Sequence, residues 1–231
     1  MDTLKGAAES SSRKIFSPSV SRNREHILAV LKERLGKLAR PDEPLGLVEL
    51  ACGTGEHASM LAENIPKLQV LPVEPDANML HSIAAFAEED GAKGRIAERK
   101  SFVLPPLNIS VEQLGKSSLP ASFAPIVKAM LCVNMIHISP YSSTEELFRA
   151  GSEILPDCGQ IFTYGPYSDG GQMAPSNAEF DKRLKERNAA WGVRDITTLA
   201  KTAETHGFFL EEKTGMPANN LLLTFTKGEG N

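Results

Sequence analysis

The strongest constraint on how this chain folds is its alternation of apolar runs with helical patterns. "LGLVELA" (45–51) reads as a buried strand and "EHASMLAEN" (56–64) as a helix. "LQVLPVE" (68–74) is a second strand and "DANMLHSIAAFAEED" (76–90) a second helix. "KSFVLPPLNI" (100–109) is a third strand, weakened by its prolines, and "APIVKAMLCVNMI" (124–136) a long buried fourth. A helix over "STEELFRAGSEI" (143–154), capped by Ser143 or Thr144, precedes a fifth strand at "CGQIFTYGPY" (158–167). Strands that alternate with helices pair side by side through helical crossovers, which gives a parallel, doubly wound α/β sheet. The chain finishes differently. A helix over Thr197–His206 is followed by two strands, "GFFLEEKTG" and "NNLLLTFTK", joined by a short connection. The expected fold is therefore a seven-stranded, mostly parallel sheet closed by C-terminal antiparallel pairing.

Ahead of the first strand, Ile27, Leu28, Leu31, Leu35 and Leu38 recur at helical spacing, and "ARPDEP" ends that helix. Residues 1–14, rich in Ser, Ala and charge, read as a disordered tail, and 15–231 as a single domain. A chain of 231 residues with 41% hydrophobic content suits one sizeable core. The net charge of −4 lacks the basic excess of a nucleic-acid binder. No apolar run is long enough to span a bilayer, and the polar N-terminus lacks a signal-peptide core. Cys52, Cys132 and Cys158 lie far apart, which points to a reduced, cytoplasmic protein. No His, Asp or Glu cluster stands at ligand spacing, so no metal is expected. The expected state is a monomer or homodimer that acts on a small molecule.

Gly53, Thr54 and Gly55 follow the first strand and open the first helix of the alternation, with Ala58 at the close-packing position. Glycines let a ligand approach the backbone, and the helix start supplies free N–H groups. Glu74, at the end of the second strand, can accept both hydroxyls of a ribose. Glu49 discriminates between cofactors. It lies inside an apolar strand, where an unpaired carboxylate is costly, and an acid beside a pyrophosphate makes little sense. A cofactor that carries an ammonium and a sulfonium fits it.

That cofactor is S-adenosylmethionine (SAM), and here the sequence resembles the class I SAM-dependent methyltransferases. "VELACGTGEHA" is similar to their first motif, and "VLPVEPD" to the acidic end of their second strand. "SRNREHIL", "LCVNMIHISPY", "GPYSDGGQ", "SNAEFDKRLKERNAAWGVRD" and "MPANNL" together resemble a small methyltransferase-like family, largely of unknown function, over residues 15–227. The resemblance implies SAM contacts from Glu49, Gly53, Thr54, Gly55, Glu74, Pro75, Asn134 and Met135, with S-adenosylhomocysteine (SAH) as product. His57 would line the pocket. Asn108 stands where the family often has an Asp near the adenine, and its oxygen can still accept from the adenine amino group. The "RN" pair Arg22–Asn23 begins a helix that would lid the cofactor, with Arg22 facing the methionine carboxylate.

His137, three residues past Asn134, has an ordinary pKa suited to a general base. Residues 165–195 are expected to form the substrate lid. Tyr167, Asn188, Trp191 and Arg194, with Asn219 before the last strand, are the candidate substrate contacts. The expected activity is methyl transfer to a small polar molecule. A non-catalytic SAM-binding protein and a nicotinamide-dependent oxidoreductase are the competing readings.

Overall fold

The structure is a computed structural model that describes residues 13–40, 42–92 and 100–229. The expected tail therefore falls mostly outside the described residues, with Arg13 and Lys14 inside them. The chain forms two compact units. The first contains residues up to Ser110 together with Ala121–Val127, and the second contains Val111–Pro120 and the chain from Lys128 onward.

In the first unit, helix α1 (Pro18–Leu38) starts at a proline, whose fixed φ suits the first helical turn. Its apolar stripe is the expected one: Ile27, Leu28, Leu31 and Leu35 are buried. Strand β1 (Leu45–Leu50) is buried along its whole length and leads into helix α2 (Glu56–Asn64). Strand β2 (Leu68–Val73) pairs with β1 in parallel, from Leu45 opposite Leu68 to Leu50 opposite Val73. Helix α3 (Leu80–Ala92) follows, preceded by a single 3-10 turn at Ala77–Met79. Strand β3 is only Phe102–Val103, parallel to β2. Pro105 and Pro106 have no N–H to give, and pairing continues only as an isolated bridge between Val73 and Leu107.

In the second unit, strand β4 (Val127–Val133) runs parallel to β5 (Gln160–Ser168). Helix α4 (Tyr141–Ile154) connects them. It starts at Tyr141, before either expected cap. Ser143 instead donates to Glu112, and Thr144 is fully buried with no partner for its hydroxyl. Helix α5 (Pro175–Arg187) lies inside the segment expected to be a lid. Its polarity hid it, since only Asn177 and Leu184 are buried. A two-residue strand β6 (Arg194–Asp195) pairs with the end of β5. Helix α6 (Ile196–Thr205) is capped by the Asp195 carboxylate, which accepts from the Thr197 N–H. Strands β7 (Phe208–Met216) and β8 (Asn220–Lys227) form an antiparallel hairpin, and β8 also pairs antiparallel with β5.

The strand order is β3-β2-β1 in the first unit and β4-β5-β8-β7 in the second. All pairings through β6 are parallel, and those of the last two strands are antiparallel, which is the mixed α/β fold expected. The short β6 is an addition to the seven strands foreseen. Among the described residues no helix is long and apolar enough to cross a membrane.

The second unit's core centres on Phe148 of α4, whose ring meets Phe225 edge-on at 5.1 Å and Phe208 at 6.0 Å. All three are fully buried. Phe148→Ala is expected to lower stability by about 3–5 kcal/mol, read from the shift of the urea unfolding midpoint, and Phe148→Leu by clearly less.

Candidate functional site

The glycine turn dominates the first unit. Gly55 caps α2 at φ +89°, and a Cβ there would lie 2.9 Å from the Ile83 Cα on α3. Backbone angle and close helix packing both demand glycine. Gly53, at φ +58°, is different: nothing lies within 4 Å of its missing Cβ. The space over the turn at Gly53 is open to a ligand.

The Gly53 N–H donates to Glu74 Oε2 at 2.7 Å, and the Asp76 N–H donates to Glu74 Oε1 at 2.9 Å. Glu74 thereby fixes the turn to the loop after β2, and each of its oxygens keeps a further lone pair. The Asn108 amide nitrogen donates to the carbonyls of Glu74 (2.8 Å) and Pro75 (3.1 Å). Two carbonyl acceptors fix the orientation of this amide, so its oxygen is left as an outward acceptor.

Glu49 is 1% exposed, one residue from the carboxyl end of β1. Its Oε1 lies 3.6 Å from His57 Nδ1, and its Oε2 is buried without any hydrogen-bond partner. His57 Nε2 lies 2.9 Å from Asn23 Oδ1. Asn23, His57 and Glu49 thus form a buried row drawn from α1, α2 and β1. The sequence placed Asn23 and His57 against the cofactor; here they hold the acid and each other. Arg22, the residue before Asn23, is exposed.

Glu56 was missed, although an acid directly after the second glycine was a visible signal. It is buried in the first turn of α2, and its Oε2 accepts from Thr54 Oγ1 (2.9 Å) and from the Ser17 N–H (2.7 Å). A carboxylate thus lies in the first turn of α2, held by groups outside the helix. Burial pushes the Cys52 thiol well above its ordinary range, and the Glu49 and Glu74 charges push it further. Three buried carboxylates, of Glu49, Glu56 and Glu74, thus stand at the turn.

The second unit gathers a separate set. Asn134 ends β4 at φ +64°, its N–H donates to the Tyr164 carbonyl, and its carbonyl accepts from the His137 N–H. Met135 and His137 are buried in the 3-10 turn that follows. The His137 ring is 0% exposed, meets Tyr167 edge-on at 5.1 Å, and has no partner at either nitrogen. It fits because residue 165 is glycine: a Cβ there would lie 2.2 Å from His137 Nε2. Burial, then the Arg194 charge, lower its pKa to about 3. This is a correction to the ordinary pKa expected of a base. The ring is neutral and sealed because it packs as part of the core.

Arg194 is also placed differently from the expectation. Its Nε donates to the Ile136 carbonyl at 2.7 Å, and its Nη2 to the carbonyls of Ser139 (2.6 Å) and Ala190 (3.2 Å). The guanidinium clamps the His137 turn and lies over the Tyr141 ring. Tyr167 is buried, its hydroxyl donating to Thr163. Asn188 is exposed and caps the end of α5, its side chain accepting from the Ala190 N–H. Trp191 is half-buried, and its backbone N–H donates to the Asn188 carbonyl. Asn219 ties the β7–β8 turn to α5: its amide donates to Ser176, and its carbonyl accepts from Asn177. Among the described residues no group of three or more His, Cys, Asp or Glu is arranged to hold a metal ion.

The family described as "Protein of unknown function (DUF938)" matches residues 14–227. The chain belongs to it. Solved structures share its fold at low identity. An O-methyltransferase family protein from Burkholderia thailandensis aligns with TM-score 0.66 and 14% identity, over 92% of this chain and 58% of that one. The YcgJ protein of Bacillus subtilis aligns with TM-score 0.64 and 13% identity, over 89% of this chain and all of that one. CalO1, a methyltransferase of calicheamicin biosynthesis solved with SAH bound, aligns with TM-score 0.63 and 12% identity, over 88% and 55%. The fold is that of the class I SAM-dependent methyltransferases. The chain spans little more than half the length of two of these three.

The sealed imidazole has a measurable consequence. Its folded pKa of about 3 lies below the roughly 6.5 of an unfolded histidine, so the unfolded chain binds one more proton between those values. This contribution to stability is complete above about pH 6.5 and declines by about 1.4 kcal/mol per unit as the pH falls toward 3. Thermal midpoints taken from pH 7 to pH 4 are expected to fall more steeply in wild type than in His137→Leu.

Proposed function

We propose that the glycine turn binds SAM and that the protein transfers its methyl group to a small polar molecule. One observation carries the reading: Glu49 Oε2 is a buried carboxylate oxygen without a partner, beneath a turn that is open at Gly53. Such an oxygen is costly unless a donor or a cation reaches it. SAM supplies a methyl group already activated on a sulfonium, and it carries an ammonium as well. Glu49 would balance that charge. Glu74 would receive the ribose hydroxyls on its remaining lone pairs, and the Asn108 oxygen would accept from the adenine amino group. Arg22, exposed at the start of α1, would meet the carboxylate. Thr54 and Pro75 would contribute backbone and shape, and His57 and Asn23 would hold Glu49 in place. Asn134 and Met135 are proposed as contacts on the sequence pattern alone. The fold likeness to CalO1, solved with SAH, supports the same ligand class.

Methyl transfer needs alignment and exclusion of water more than an acid–base apparatus. For the acceptor, the second unit offers a groove of about 500 Å³ bordered by Tyr167, Gln172, Asn177, Met216 and Asn219. That is the size of a small-molecule site. Asn188 and Trp191 are exposed or half-buried and able to contact an acceptor, whereas Arg194 is engaged by backbone carbonyls. A non-catalytic SAM-binding protein is the second reading, favoured by the sealed His137 and the engaged Arg194. A nicotinamide dinucleotide is disfavoured by Glu49 and Glu56, buried acids at the turn where its pyrophosphate would sit.

Calorimetry with SAM, SAH and NAD tests the reading. SAM and SAH are expected to bind wild type, with NAD silent. Glu49→Gln keeps the shape and removes the charge, so it is expected to weaken SAM at least tenfold, about 1.4 kcal/mol. Gly53→Arg is expected to abolish binding by filling the open space. Binding of NAD in preference to SAM would overturn the assignment. Binding of SAM with no methyl transfer to any polar acceptor screened would favour the non-catalytic reading.

A further inference from the structure

Just ahead of α1, residues Arg13–Ser17 form a strap along the first unit. Arg13 pairs with Glu88 at 2.6 Å, Lys14 lies over the Phe86 ring at 4.4 Å, and Phe16 meets that ring edge-on at 5.4 Å. These contacts lie on α3. Two others lead elsewhere. The Ile15 N–H donates to Ser82 Oγ at 2.9 Å, and Ser82 Oγ donates to the Thr54 carbonyl at 2.9 Å. The Ser17 N–H donates to Glu56 Oε2 at 2.7 Å, and the same oxygen accepts from Thr54 Oγ1 at 2.9 Å. Ser82 and Glu56 each hold the strap backbone on one side and Thr54 on the other. Ser82 is fully buried and Glu56 nearly so.

We propose that Ser82 and Glu56 are positioning residues that couple the strap to the glycine turn, so that docking of Arg13–Ser17 sets the geometry of Thr54 and thereby the turn's affinity for its ligand. Both polar ends of Thr54, its carbonyl and its hydroxyl, are fixed through these two bridges. Thr54 stands between the two glycines, whose freedom otherwise lets the segment visit other backbone conformations. Release of the strap leaves two buried side chains with one bond each lost, and Thr54 held by looser groups. By reciprocity, a ligand that binds the ordered turn tightens the strap.

The coupling itself does not require that the ligand be SAM, and the test separates the two. Ile15→Pro removes the donated N–H without touching the turn or Ser82, and Ser82→Ala removes both bonds of one bridge. Amide hydrogen exchange over residues 51–56 is compared in the full chain, with and without SAH, alongside thermal midpoints. Each variant is expected to raise exchange in the ligand-free turn about fivefold or more while the midpoint moves by no more than a few degrees. SAH affinity is expected to fall in parallel, and in wild type SAH is expected to slow tryptic cleavage after Lys14. Lys37→Ala, on the exposed face of α1, should do none of this. Unchanged exchange at the turn in Ile15→Pro would overturn the coupling, even if Ser82→Ala failed to fold. Faster turn exchange in a protein that binds neither SAM nor SAH would uphold the coupling and refute the cofactor assignment.

Discussion

The carboxylate of Glu74 is the contact on which the first unit's chemistry depends. It sits where β2 ends, yet one oxygen holds the Gly53 N–H after β1 and the other holds the Asp76 N–H of its own loop. Two parallel strands that are paired along their length are thereby also joined at their carboxyl ends. That is where ligands lie in open α/β sheets. The Asn108 amide extends the same tie by bonding the Glu74 and Pro75 carbonyls. The outcome is a rim in which every backbone segment is held and a few acceptor lone pairs remain. A site built so needs little rearrangement when a ligand arrives.

Charge then decides what can enter. Glu49, Glu56 and Glu74 are all buried around one short turn. In a generic glycine turn the helix start is an anion seat; here a buried carboxylate, Glu56, lies in that first turn. Glu49 adds a carboxylate oxygen that nothing in the described protein satisfies. Buried acids without cationic partners are expensive, and proteins keep them where a ligand completes them. The glycine spacing alone does not choose between cofactors, and the acid four residues before Gly53 is what the proposed SAM reading rests on.

Much of the fold was legible because its strands are buried on both faces and so appear as continuous apolar runs. The expected β1, α2 and the final hairpin agree closely with those observed. The turn was legible for the same reason: glycines between a strand and a helix carry a geometric meaning. The second unit's polar residues were harder. Helix α5 shows almost no apolar stripe, so its sequence pattern does not announce a helix. Arg194 has the chemistry of a ligand contact, but its partners Ile136 and Ser139 are remote in sequence, and Tyr167 turns its hydroxyl back to Thr163 on its own strand. His137 looked like a base because nothing in its neighbourhood in the sequence reveals that Gly165 opens a slot for its ring. Residue type names a capability, and only tertiary contacts show whether it is already in use.

The hairpin also bears on how the chain is made. Strand β8 pairs with β5 on one side and β7 on the other, so a strand that follows β5 by more than fifty residues lies between it and β7 in the interior of the sheet. During synthesis the β1–β2–β3 pairings can all form once Val103 has emerged. Strand β5 must meanwhile wait with one edge bare until residues 220–227 arrive. A bare, fully buried-type strand is an aggregation hazard while it waits. The order of the strands in the sheet, set against their order in the chain, thus makes the second unit the slow and vulnerable half of biogenesis.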